Sequence, residues 1–132
     1  MPIERKSILL GPISPAAPGA LYQQIVDGLK REISEGRLPS GAPLPSFRVL
    51  AEDLLVSVIT VKRAYEELER EGIIYRRQGL GTFVADQGLD RSRTAKLNTA
   101  RELIRQAARE AAEAGLTPEE ILELARTIIQ GD

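Results

Sequence analysis

Arg48, Lys62, Arg63, Arg76 and Arg77 fall within one stretch of the chain, interleaved with the hydroxyls Ser57 and Thr60 and the glycines Gly79 and Gly81. A guanidinium presents a rigid fork of donors that fits a phosphate, or the acceptor edge of guanine, through two parallel hydrogen bonds. Hydroxyls and backbone N–H groups at a helix start hold phosphate oxygens, and glycine lets a backbone come close to a groove. Together these residue types suit recognition of a polyanion. They do not suit catalysis. The 132 residues include no histidine and no cysteine, which excludes a thiolate nucleophile, a disulfide, a zinc site and the commonest general base near neutral pH. Carboxylates do not cluster among the glycine-rich loops where a pocket would be built, so no enzyme, metal or cofactor is expected. The formal net charge is -1, whereas most nucleic-acid binders are basic. Any polyanion must therefore meet a positive charge concentrated on one face.

The elements that position these residues are readable from punctuation and periodicity. Met1 to Gly19 carries Pro2, Pro12, Pro15 and Pro18, which forbid a regular helix and leave an extended lead-in. Leu21, Ile25, Leu29 and Ile33 then recur at helical spacing, with Gly36 placed to end that helix. The run RLPSGAPLPS is a loop by composition. Ser46 caps a short helix, FRVLAEDLL, with Leu50 and Leu54 turned inward. Ser57 caps another that starts at Val58 and runs to Gly72, burying Val61, Ala64, Tyr65 and Leu68. The outward positions left at its start are Val58, Ile59, Lys62 and Arg63. IIYRR and TFV, joined by QGLG, read as a β-hairpin.

Behind the hairpin, Ala85 to Asn98 is polar and mixed, and residues 87–97 are expected to be a linker. An alanine-rich helix follows from about Asn98 to Ala114. Gly115 stops it, and LTPEEI opens a last helix with Thr117 as N-cap, Pro118 at N1, Glu120 closing a capping box and Leu116 stapled to Ile121. Ile104, Ala107 and Ala111 line one apolar side of this tail, and Ile121, Leu122, Ala125, Ile128 and Ile129 line the other. A hairpin of two short helices cannot bury both sides alone, so the tail of residues 98–132 is expected to pair with a second copy. The stripe Arg101, Arg105 and Arg109 reads as solvated surface paired with Glu102, Glu110 or Glu113. The fold class is mainly α with a small β-hairpin: a winged helix-turn-helix over residues 20–86, followed by a helical hairpin. In such modules the second helix of the pair enters the DNA major groove by its N-terminal end. A winged helix also serves as a protein-interaction adaptor. Convergence of Arg48, Lys62, Arg63 and Arg77 on one face is the feature an adaptor would not need.

The run LPSFRVLAEDLLVSVITVKRAYEELEREGIIYRRQGLGTFVAD closely resembles the N-terminal domain of the GntR family of bacterial transcription regulators, through LPS-x-R-x-LA, TV-x-RAY-x-x-LE-x-EG and GLGTFV. PGALYQQI is similar to the lead-in of the same family, and the short two-helix tail resembles its YtrA-type subgroup, in which the tail serves dimerisation. The resemblance implies a homodimeric repressor of a double-stranded DNA operator. It gives Arg48 a DNA contact, Thr60 a phosphate contact, Arg63 a place in the recognition helix, and Gly79 and Gly81 the wing. Two positions depart from the family pattern: Leu55 stands where glycine is frequent, and Val58 where many members have arginine. Operator preference should then rest more on Ile59, Lys62 and the wing. No small-molecule effector is specified by these residues. Arg5 and Lys6 precede Ile8-Leu9-Leu10, but Gly11 and Pro12 end that apolar run, and no stretch is long enough to span a bilayer. A cytoplasmic protein with no membrane partner is expected.

Overall fold

The computed structural model describes residues 10, 13–16 and 20–131; the rest of the expected lead-in lies outside the described residues. In chain order the elements are α1 (Leu21–Ser34), β1 (Pro43–Leu44), α2 (Phe47–Leu54), α3 (Val58–Arg70), β2 (Ile74–Arg77), β3 (Gly81–Val84), α4 (Gly88–Glu113) and α5 (Pro118–Gly131). They fall into two units that divide within α4, between Lys96 and Leu97.

In the first unit the apolar stripes meet as their spacing implies. Ile25, Leu29 and Ile33 of α1 are fully buried against Leu50 of α2 and Val61, Ala64, Tyr65 and Leu68 of α3, with Ile73, Ile74 and Val84 of the sheet closing the core. Both helix starts of the central pair are capped by serine: Val49 N–H donates to Ser46 Oγ at 3.2 Å, and Thr60 N–H to Ser57 Oγ at 3.1 Å. Each such cap contributes about 1 kcal/mol. Tyr65 packs edge-on against Phe47, with ring centroids 5.1 Å apart, and its hydroxyl donates to Pro45 O at 2.8 Å. Burial pushes this phenol well above its ordinary pKa, so it stays a donor and ties α3 to the entrance of α2.

Three features depart from the sequence reading. The loop before α2 contains a strand: β1 pairs antiparallel with β3 (Pro43 opposite Phe83, Leu44 opposite Thr82), making a three-stranded sheet of order β1-β3-β2. The hairpin itself keeps its expected place, with Arg77 opposite Gly81 across the turn. The second departure is Leu10, which is buried; its carbonyl accepts from Arg31 Nη2 at 2.7 Å. Gln24 likewise clamps Ser14, donating to its carbonyl and accepting its N–H.

The third is a correction. Residues 87–97 are not an irregular linker, because helix α4 begins at Gly88. Its first turns dock through small residues: Gly88 and Ser92 are buried, and a Cβ at Gly88 would lie 2.8 Å from Ile73 O and 2.9 Å from Val84 Cγ1. Arg91 donates to Glu71 O and Arg93 to Ser34 O, so cations meet the C-terminal ends of α3 and α1, where helix dipoles favour them.

Glu32 is buried and receives Arg37 through a double hydrogen bond, 2.9 Å from Nε and 2.7 Å from Nη2. These bonds hold its carboxyl below the usual range. A depressed acid stabilises the fold above its unfolded pKa and loses that contribution as pH falls through the folded value. Glu32→Gln should therefore cost roughly 1 kcal/mol at neutral pH, and the deficit should shrink below the ordinary carboxylate range; urea melts at both pH values check this.

In the second unit α5 opens with the expected capping box. Thr117 N–H donates to Glu120 Oε1 at 2.9 Å and Glu120 N–H to Thr117 Oγ1 at 3.2 Å. The two helices do not pack along one another: α5 has no buried residue, and Ala111, Leu116 and Ile121 on either side of the turn are half-buried. Leu103, Ile104, Leu122, Ile128 and Ile129 are exposed. Arg105 and Arg109 both pair with Glu102.

Candidate nucleic-acid interface

Helices α2 and α3 are joined by a turn that only one residue makes unusual. Leu55 has φ 58° and ψ 44°, the left-handed region, and is the one non-glycine residue with positive φ among those described. A side chain there costs roughly 1–2 kcal/mol, which glycine would avoid. The conformation lets Val56 N–H donate to Ala51 O and turns the chain into the Ser57 cap.

On the outward side, Arg48 stands in the first turn of α2, and Ile59 and Lys62 in the first turns of α3; all three are exposed. Arg48 and Val58 line one shallow cleft with Ser46, Phe47, Val49 and Glu52. Lys62 follows Val58 by one helical turn and shares a face with it. Ser57 Oγ and Thr60 Oγ1 lie 2.8 Å apart. One of the two hydroxyl protons serves that bond, which leaves the other to donate outward.

The wing faces the same end of α2. A second cleft runs between Pro45, Ser46 and Phe47 on one wall and Arg76, Arg77, Gly79, Leu80 and Gly81 on the other. Arg76 lies over the Phe47 ring, 5.0 Å from its centroid, which ties strand β2 to the start of α2. Gly79 and Gly81 have φ of 80° and 123°, values that glycine adopts without strain. They hold Leu80 out at the tip of the wing. Arg48, Lys62 and Arg77 are exposed and make no ion pair or hydrogen bond among the described residues.

Arg63 behaves differently. Its guanidinium rests 3.9 Å above the ring of Tyr22 in α1, so Arg63 does not simply join Arg48 and Lys62. Sequence spacing gave no sign of this contact, nor of Phe47 beneath Arg76; the tyrosine in PGALYQQI was its one visible trace. No described helix is long and apolar enough to cross a membrane.

Residues 21–84, from α1 through β3, match the family described as bacterial regulatory proteins, gntR family. The chain is also 33% identical over 116 residues to the HTH-type transcriptional repressor YtrA of Bacillus subtilis, covering 88% of this chain and 89% of that protein. It belongs to the GntR family. As a GntR-family protein it is a DNA-binding transcription regulator and not an enzyme. Its fold is similar to that of a GntR family transcriptional regulator from Listeria monocytogenes, with TM-score 0.74 and 31% identity over 83% of this chain and 96% of that one. It is also similar to the DNA-binding domain of AraR in complex with operator ORR3, with TM-score 0.50 and 29% identity over 57% of this chain and 90% of that one.

Proposed function

We propose that this GntR-family regulator is a cytoplasmic repressor that binds a near-palindromic operator as a homodimer. The observation that carries the reading is the outward side of the helix-turn-helix and its wing, where Arg48, Lys62 and Arg77 are exposed and make no ion pair among the described residues. In this reading α3 enters the major groove by its first turns. Arg48 engages a phosphate or a guanine edge, while Ser57, Thr60 and the N–H groups around them hold a phosphate. Ile59, Lys62 and Arg63 face the groove, and Arg76, Arg77, Gly79 and Gly81 address the neighbouring one. Residues 20–86 form the DNA-binding module. Residues 98–132 pair two copies through Ile104, Ala107, Ala111, Ile121, Leu122, Ala125, Ile128 and Ile129. The repressor sense follows the name of the Bacillus subtilis relative.

Selecting duplexes from a random pool with the 132-residue chain tests the reading. The expected product is a pair of inverted half-sites about 10 base pairs apart, or a multiple of that; enrichment of nothing, or of one unpaired motif, contradicts it. Tyr22 supplies a finer prediction. Tyr22→Leu should free Arg63 and weaken operator binding by about 0.5–1 kcal/mol, whereas Tyr22→Phe keeps the aromatic face and the affinity. Fluorescence anisotropy with both variants checks it, and equal loss in the two would exclude the ring as the cause.

A further inference from the structure

The start of α3 is apolar where it is most exposed. Val58 and Ile59 have 43% and 78% of their surface open, although this unit buries most of its other described valines and isoleucines. The polar groups beside them are partly engaged: Ser57 and Thr60 bond each other, and Arg63 lies on Tyr22. Arg48 and Lys62 flank the pair and make no ion pair among the described residues. A branched aliphatic surface framed by free cations is complementary to a groove walled by phosphates that carries an apolar group on its floor.

Building on the DNA reading above, we infer that Val58 and Ile59 read thymine through its 5-methyl group. In the major groove that methyl is the apolar feature of the base edges; the other positions are donors and acceptors. Valine and isoleucine can pair with neither, so setting them over a G·C pair leaves polar edges desolvated and unmatched. Both side chains are β-branched and nearly fixed at χ1 within a helix, so little rotamer freedom is lost when they meet a methyl. The operator half-site therefore carries thymine opposite the first turn of α3, while Arg48 and Lys62 hold the flanking backbone.

The test uses the uncut chain and the duplex it selects, with each thymine replaced in turn by deoxyuridine, which removes the methyl and no hydrogen-bonding group. At one or more positions in each half-site, affinity should fall about fourfold, the worth of one buried methyl. Ile59→Ala or Val58→Ala should then bind the thymine and deoxyuridine duplexes equally at the matching position. Sequence-selective binding that is indifferent to every deoxyuridine overturns this inference and leaves the DNA reading standing. So does a deoxyuridine effect that survives in both variants. Failure to select any duplex overturns the DNA reading and this inference together, and is the outcome expected if the apolar patch docks a protein.

Discussion

Cutting the chain after Lys96 should yield a folded monomer that binds its operator on the order of 100-fold more weakly than the uncut chain. The cut falls there because the first turns of α4 belong to the first unit: Gly88 and Ser92 are buried, and Arg91 and Arg93 bond the ends of α3 and α1. The core of that unit is complete without the tail. What is lost is the apolar surface of Leu103, Ile104, Leu122, Ile128 and Ile129, which α4 and α5 leave exposed in the single chain. In a two-fold pair that surface meets its copy, and binding of one half-site raises the effective concentration of the second module at the other. Light scattering and anisotropy check the two halves of the prediction. A truncated protein that is still dimeric would place the interface elsewhere.

Arg48→Ala should weaken operator binding by about 1–3 kcal/mol while leaving the melting temperature unchanged. Arg48 is exposed and has no partner among the described residues, so its removal opens no cavity and orphans no charge. Arg48→Lys distinguishes the two roles open to it. Lysine restores the charge but not the fork, so recovery of affinity indicates a phosphate contact, and continued loss indicates a bidentate contact to guanine. Unchanged affinity in Arg48→Ala would remove the residue from the interface.

The core of this module was legible because Val61, Ala64, Tyr65 and Leu68 repeat on one side of α3, and Ile25, Leu29 and Ile33 on one side of α1. Serines at 46 and 57 marked the helix starts through a local hydrogen bond, as did Thr117 and Glu120 in the tail. The start of α4 was illegible for the opposite reason. Its docking face is Gly88 and Ser92, and close backbone approach leaves no apolar stripe to count. β1 escaped notice because two residues in a proline-rich loop become a strand only when β3 lies beside them. The outward cations could be placed on helix and strand by spacing, but the rings that receive two of them could not. Tyr22 lies on a different helix from Arg63, and Phe47 on a different element from Arg76, so both contacts exist only once the chain has folded.

The central claim is that a slightly acidic chain binds a specific DNA duplex through one local cationic face. It is tested most directly by titrating the uncut chain against its selected duplex and a scrambled duplex at several salt concentrations. The account predicts tighter binding to the selected duplex throughout, and an affinity that falls with salt with a logarithmic slope of about 0.9 per phosphate neutralised. Equal affinity for the two duplexes, or an affinity indifferent to salt, would contradict it.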